Sequence, residues 1–427
     1  MLKVNDLFIV KIEDTNIFAN GVCHIDNMVV FVEGGIKDEL CEIEITRVYP
    51  HYAYAICRNV IYKSTARITP SCPLFNTCGG CSFSHITIEE ENSIKENYVK
   101  SSFLKQGIDV ELEKIVCPVS EKYRNKVVLF YDGSLFGYMA QGTNYIVPHN
   151  ECDLNDGIFD DISKFIAEKI TVEPVRAIYL RKSSHQSPQI MLSIILWKDC
   201  DINSLINAVK EKFEQIKTIL VGISREKDFV LEKIKLKRMT GDGYIYDTMC
   251  GLKFRISPES FYQINHSCAE ELYEKAILLA DLNSDTVCAD LFCGTGTIGI
   301  ISAKKTGATV YGVEIVEKAI EDAKFNANLN KIENIHLEAM DAKKFNKRVD
   351  VCIIDPPRKG CSDFMIDALN RLLPSKIVYV SCNVDTMVRD IKLLSNNYKI
   401  SSPVSVFNQF PRTSHVESVV CLERRRK

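Results

Sequence analysis

Three stretches of the chain carry residue types that chemistry needs, at the spacing it needs. Asp290-Leu-Phe-Cys-Gly-Thr-Gly-Thr-Ile-Gly299 sets Gly294, Gly296 and Gly299 as G-x-G-x-x-G. Such a turn must bend sharply and let a ligand approach the backbone, and glycine permits both. The next apolar run ends at Glu314, whose carboxylate can accept from both hydroxyls of a ribose. NAD and S-adenosylmethionine both present that ribose, so the turn predicts an adenosine-containing cofactor without choosing between them. Further on, Val-Cys-Ile-Ile-Asp-Pro-Pro-Arg-Lys-Gly over 351–360 puts Asp355 at the end of an apolar run, before two prolines that stiffen the loop. Val-Tyr-Val-Ser-Cys-Asn over 378–383 ends another run on Cys382. A dehydrogenase has no use for a thiol at that place, whereas a thiolate at a strand tip is a nucleophile.

A second cysteine pattern lies earlier. Cys72, Cys78 and Cys81 form C-x5-C-x2-C, with Gly79 and Gly80 letting the loop curl. Three thiolates call for a fourth, and Cys117 and Cys152 are the candidates. A four-thiolate site suits tetrahedral zinc and an iron–sulfur cluster equally by spacing. Most of the other cysteines among the 17 read as small buried hydrophobes, Cys352 and Cys421 among them.

The elements that must position these groups follow from periodicity. Short β-rich runs over 7–12, 28–32, 42–48 and 53–60 predict a small OB-like β-barrel over residues 1–60. That segment has five basic and nine acidic residues, so nothing in its charge marks an RNA surface. Residues 87–104 have helical periodicity. From 123 to about 253 the pattern is α+β, with strands over 127–131, 189–196 and 218–224 and helices near 160–170 and 201–215. A strand over 231–238 would put Lys233, Lys235 and Lys237 on one face, as a basic strip along RNA or a solvated edge. From 284 onward strands over 286–292, 309–315, 336–340, 349–354 and 376–381 alternate with helices, a doubly wound parallel sheet. Runs over 400–407 and 417–423 have no helix between them and predict an antiparallel hairpin at one edge. That edge points to a class I methyltransferase domain.

The ordered set of motifs resembles the RNA 5-methyluridine methyltransferase family, in its RumA-like branch with an N-terminal TRAM domain. The resemblance runs over essentially the whole chain. It rests on the cysteine loop, Tyr123-Arg-Asn-Lys-Val127, Ile256-Ser-Pro-Glu-Ser-Phe-Tyr-Gln-Ile-Asn265, the glycine turn, Asp355-Pro-Pro-Arg358, Val380-Ser-Cys-Asn383 and His415-Val-Glu417. The resemblance implies Cys382 as nucleophile toward uracil C6 and Glu417 as the base that removes the C5 proton. It implies S-adenosylmethionine held by Gln263, Phe292, Glu314 and Asp355, with Asp341 near the adenine. It implies a 4Fe–4S cluster on Cys72, Cys78, Cys81 and Cys152. Phe292 stands where tyrosine is usual, and Val384 stands where proline is usual. The expected organisation is a TRAM-like barrel over 1–60, a central α+β domain with the cysteine loop over 61–265, and a Rossmann-like catalytic domain over 266–427. A segment near 85–110 is expected to pack on the catalytic domain.

The expected reaction is methylation of a uridine at C5, in 23S rRNA on the strength of the TRAM-like domain and cluster. A tRNA T-loop uridine is the alternative substrate. An NAD-linked iron–sulfur oxidoreductase is the alternative from a different class, since glycine turn and cysteines alone would permit it. A chaperone with a dead catalytic domain is disfavoured by Cys382, Asp355 and Glu417. An adenine amino-methyltransferase is disfavoured because Arg358, not an aromatic, follows Pro-Pro. With 53 basic and 56 acidic residues the net charge is −3, so any RNA footprint is local. No apolar run approaches bilayer-spanning length and Met1–Asn20 lacks a signal-peptide core, which predicts a cytoplasmic monomer without an obligate protein partner.

Overall fold

Apolar residues at every second position shape the first sixty residues. The strands Leu7–Lys11, Asp14–Thr15, Asn20–Ile25, Met28–Glu33, Leu40–Val48 and Tyr52–Tyr62 form one six-stranded sheet. Its inward side chains, including Val30, Val32, Ile43, Ile45 and Ala55, make a single apolar cluster. Met28–Glu33 and Tyr52–Tyr62 pair in parallel, and the other strands pair antiparallel. The computed structural model describes residues 2–140, 142–171, 174–226 and 229–426.

The central region is a seven-stranded sheet. Its order is Leu236–Thr240, Ile216–Ile223, Ile190–Leu196, Val175–Lys182, Lys126–Tyr131, Phe136–Met139 and Ile146–Pro148. Helices Gly157–Lys169 and Asn203–Lys212 cover one face. The other face shares an apolar cluster with the catalytic half, where Tyr179, Met191 and Ile195 meet Tyr262 and Leu272. Ile190–Leu196 is buried at all seven positions, which explains why its sequence is apolar without alternation. The lysine strip differs from expectation. Leu231–Lys233 is a 3-10 turn and the strand begins only at Leu236. Ile234 turns inward, so Lys233, Lys235 and Lys237 are all exposed at an edge of the sheet.

The catalytic sheet runs Ile335–Ala339, Thr309–Glu314, Val287–Leu291, Val351–Ile354, Lys376–Ser381, Glu417–Arg424 and Tyr398–Ile400. The first five are parallel, and Glu417–Arg424 inserts antiparallel beside Lys376–Ser381. The single strand expected over 400–407 is two, Tyr398–Ile400 and Ser405–Phe407, both pairing with Glu417–Arg424. Pro403 lacks an N–H and interrupts the ladder. Ser401 and Ser402 restore part of it, the Ser401 hydroxyl donating to the Cys421 carbonyl (3.3 Å) and the Ser402 hydroxyl accepting from the Cys421 N–H (3.1 Å).

Helix Ile88–Lys105 starts on Thr87, whose hydroxyl accepts from the Glu90 N–H. Val99 and Phe103 sink into the same apolar cluster as Tyr379, Val384 and Val420 of the catalytic sheet and its helices. A buried polar network pins it further. Lys95, fully buried, donates to Glu91 (2.8 Å), to Asn408 (2.6 Å) and to the Phe410 carbonyl (3.3 Å). Glu91 in turn accepts from the Arg412 N–H at 2.9 Å. No helix among the described residues is long and apolar enough to cross a membrane.

Candidate active site

The carboxyl ends of the parallel strands open on a cavity of about 730 Å³. It is lined by Gln263, Phe292, Glu314, Asp341, Asp355, Cys382 and Glu417, which come from seven separate places in the chain.

The glycine turn makes one wall. Strand Val287–Leu291 ends, and Phe292, Gly294 and Gly296 take φ of 69°, 54° and 77°. Phe292 pays for a left-handed backbone that a side chain normally avoids. The N–H groups of Phe292 and Cys293 both donate to the Val313 carbonyl, at 3.0 and 3.1 Å. This brings the Gly294 N–H within 3.3 Å of the Glu314 carboxylate, which also accepts from the Val316 N–H (3.1 Å). Gly299 has a different reason. A Cβ there would lie 2.8 Å from an Asp290 oxygen that accepts the Gly299 N–H at 2.8 Å. Burial pushes the Asp290 carboxyl up to about 7, with the charges of Asp355 and Glu314 adding to it.

The neighbouring strand ends carry two acids and a thiol. Asp355 follows strand Val351–Ile354, and burial raises its carboxyl to about 7. Cys382 follows strand Lys376–Ser381 in a loop without the usual proline. Side chains hold that loop instead: the Asn383 N–H donates to the Ser381 hydroxyl (3.0 Å), which itself donates to the Asn383 carbonyl (2.9 Å). The Asn383 amide donates to the Arg358 carbonyl (3.0 Å), tying this loop to the Pro-Pro loop. Val384 is the buried first residue of helix Val384–Leu394. Glu417 opens the strand Glu417–Arg424 and is 6% exposed.

Asp355, Glu417 and the Cys382 thiol therefore share a desolvated space. Burial, then the charges of Glu417 and Asp355, push the Cys382 thiol up to about 12, and the Arg358 guanidinium opposes the rise. Burial and Asp355 hold the Glu417 carboxyl well above its ordinary range, again opposed by Arg358. An incoming cation would lower all of them together. Arg358 also lies 3.4 Å from the His415 ring. Asp341, at the mouth, is held below the usual carboxylate range by a hydrogen bond from Lys343.

Sequence reasoning missed part of the lining. Arg358 belongs to the Asp355-Pro-Pro-Arg358 motif, but the motif alone gives it no role. Phe261, Ile315 and Phe364 line the cavity while remaining 66%, 67% and 71% exposed, a rim of apolar groups facing solvent. The signal for Phe364 was an aromatic on the first turn of a capped helix, Asp363–Leu372, where a core-facing residue is not required.

The cysteine loop is a separate place. Cys72, Cys81 and Cys152 line a small cavity of about 80 Å³ together with Arg412. Cys78 ends the helical turn Phe75–Cys78 and is absent from that lining. Cys117 also lies elsewhere, beside Glu91 and Lys95. Among the described residues no three His, Cys, Asp or Glu side chains are grouped so as to hold a metal ion. Burial raises the Cys72 and Cys81 thiols and takes Cys152 to about 11, while the nearby Arg124 guanidinium works against the rise at Cys81 and Cys152.

Comparison with known proteins gives a consistent picture. The model of a family described as tRNA (uracil-5-)-methyltransferase matches residues 179–425, and that of the TRAM domain matches residues 3–57. An uncharacterized RNA methyltransferase of Clostridium tetani is 32% identical, covering 99% of this chain and 97% of its own. One from Listeria monocytogenes is 32% identical over 99% of this chain and 98% of its own. Among solved structures, the Pyrococcus abyssi tRNA (uracil-54, C5)-methyltransferase in complex with S-adenosyl-L-homocysteine is 25% identical. It superposes with a TM-score of 0.80 over 97% of this chain and 100% of that one.

Proposed function

Because the chain belongs to the RNA uracil-5-methyltransferase family and is an S-adenosylmethionine-dependent enzyme of it, we propose that it methylates a uridine of 23S rRNA through a covalent adduct on Cys382. The observation that carries this reading is the meeting of Cys382, Glu417 and Asp355 with the glycine turn in one cavity. An oxidoreductase reading has no place in this family.

Carbon C5 of uracil is too weak a nucleophile to take a methyl group directly. Cys382 gives up its proton to solvent, helped by the Arg358 charge, and its sulfur bonds to C6. The C5=C6 electrons move onto C5 and the O4 carbonyl, which makes C5 nucleophilic. S-adenosylmethionine, when bound, would supply an electrophilic methyl on a sulfonium, its neutral thioether leaving as C5 takes the methyl. Glu417, in its ionised form, then takes the C5 proton. The C6–S bond breaks, the double bond returns and the thiolate is released. Gln263, Phe292, Glu314 and Asp355 hold the donor, with Asp341 at its adenine end. Access to C6 from above the ring requires the uridine to leave its stack.

Two variants separate these roles. Cys382→Ala is expected to abolish methylation and leave no covalent RNA adduct. Glu417→Gln is expected to permit addition and methyl transfer but stall before elimination, accumulating a methylated protein–RNA complex on denaturing gels. Methylation by Cys382→Ala would overturn the nucleophile. Normal turnover by Glu417→Gln would assign the base elsewhere.

A tRNA uridine is the second reading, favoured by the Pyrococcus abyssi enzyme, whose name states that substrate. Mapping 5-methyluridine in total RNA with and without the gene decides between them. For RNA contact the barrel offers an aromatic face. Tyr49 and Tyr52 stack at 4.8 Å and Tyr54 meets Tyr52 edge-on at 5.7 Å, all more than a third exposed.

In the same reading Cys72, Cys78, Cys81 and Cys152 hold a 4Fe–4S cluster. Three of them around one cavity, with Arg124 beside two, support it. A cuboidal cluster also spaces its thiolates more widely than one ion does. Methyl transfer moves no net electrons, so the cluster is structural. Anaerobically purified protein is expected to carry iron and sulfide in equal amounts, and Cys78→Ala to lose both the colour and part of the stability. Colourless protein with full stability and RNA affinity would remove the cluster from the account.

A further inference from the structure

Gln263 reaches the cavity from the loop over 257–265, which the rest of the fold clamps. From the central sheet, Arg181 donates to the carbonyls of Ser260 (2.9 Å) and Tyr262 (2.7 Å). Asn125 donates its amide to the Gln263 carbonyl at 2.8 Å. From the catalytic side, the hydroxyls of Ser257 and Ser260 both donate to Asp322, at 2.6 and 2.8 Å. The loop that carries Gln263 is thus held on both sides. None of these contacts decides which end of its side-chain amide faces the ligand. The two ends are nearly equal in size and opposite in hydrogen-bonding sense, so neighbours must decide it.

Gln409 is the neighbour that does so. It is fully buried in the segment between strands Ser405–Phe407 and Glu417–Arg424. Its amide nitrogen lies 3.1 Å from the Asn265 backbone carbonyl and 3.3 Å from Oε1 of Gln263. A backbone carbonyl can only accept, which commits the nitrogen end of Gln409 to that side. The second hydrogen of the same nitrogen then points at Gln263, where only an oxygen can receive it. The oxygen of Gln409 itself is buried without a partner, a cost the arrangement retains. The Tyr273 hydroxyl is a further neighbour of the Gln263 side chain.

We infer that Gln409 is a positioning residue: it takes the oxygen of the Gln263 amide and so turns the Gln263 N–H toward the cavity, as a donor to an acceptor oxygen of the bound cofactor. The inference rests on the reading that Gln263 meets the cofactor. A Gln263 amide turned the other way would present its own oxygen to that acceptor, and two acceptors repel. Gln409 contributes no atom to the cavity lining, and 146 positions separate it from the residue it orients.

The test is a double-mutant cycle on the full-length protein, read by calorimetric binding of S-adenosylmethionine and by thermal melting. Gln263→Ala and Gln409→Met are each expected to weaken S-adenosylmethionine about tenfold, as loss of one hydrogen bond to a polar ligand would. Their combination is expected to bind no more weakly than Gln263→Ala alone. Gln409→Glu keeps the shape but offers acceptors only. It should draw the Gln263 nitrogen inward and weaken binding further than Gln409→Met does. It provides the same reading if the methionine variant does not fold. Independent, multiplying losses in the double variant overturn the inference, since Gln409 would then act other than through Gln263. Unchanged affinity in Gln409→Met or Gln409→Glu overturns it as well. Unchanged affinity in Gln263→Ala instead overturns the assignment of Gln263 to the cofactor, and the inference falls with it.

Discussion

At the scale of single residues, the cavity is a contest between burial and one guanidinium. In the proposed mechanism Cys382 and Glu417 act as anions, yet burial favours their protonated forms, and Arg358 is the charge that opposes this at both. Both groups have raised pKa values, so the anionic fraction grows as pH rises, and methyl transfer under saturating substrates should quicken from pH 6 to pH 9. Removing the cation raises both pKa values further. Arg358→Gln is therefore expected to slow turnover by about ten- to a hundredfold at neutral pH and to move the pH–rate profile to higher pH. A profile that falls uniformly without moving would mean that Arg358 contacts RNA and leaves ionisation alone. The sequence made Asp355, Cys382 and Glu314 legible because each ends an apolar run, and strand tips converge by topology. Arg358 and Gln409 were illegible as partners because their effects depend on which atoms face each other across loops far apart in the chain.

At the scale of elements, helix Ile88–Lys105 is held by charge where its outer face would suggest a solvated surface. Its Glu91 and Lys95, an i,i+4 pair of the kind usually found in water, are both fully buried. Such a pair stabilises little by itself, but breaking one member strands the other. Lys95→Met is expected to destabilise the protein by about 3–5 kcal/mol in denaturant unfolding, and Glu91→Leu with Lys95→Met together by less than Lys95→Met alone. A double variant that loses the sum of two large penalties would contradict this. The helix itself was legible from periodicity and its Thr87 cap, but its charges gave no hint of burial, since their partners Asn408 and Arg412 come from the other end of the chain. Likewise the two strands around Pro403 read as one, because their alternation continues across a break that only the pairing with Cys421 reveals.

At the scale of the molecule, the RNA contact proposed for the acidic N-terminal domain calls for means other than phosphate attraction. Stacking of unpaired bases on Tyr49, Tyr52 and Tyr54 is such a means and depends little on salt. Tyr52→Ala with Tyr54→Ala is expected to weaken RNA binding by about tenfold or more, with the salt dependence of binding and the affinity for S-adenosylmethionine unchanged. A change in salt slope instead would put phosphates at this surface. The tie between Lys95 and Asn408 has a further consequence, in time. Those residues are 313 positions apart, so at synthesis rates of roughly 5 to 20 residues per second roughly 15 to 60 s pass between the appearance of the lysine and of its partner. Over that interval the ribosome holds a chain whose helix carries an apolar stripe and an ammonium with no finished pocket to receive them. The catalytic half closes only when its last strands emerge. A chain stopped before residue 408 is thus expected to be met by chaperones or proteases as an unfinished protein, barrel and central sheet notwithstanding.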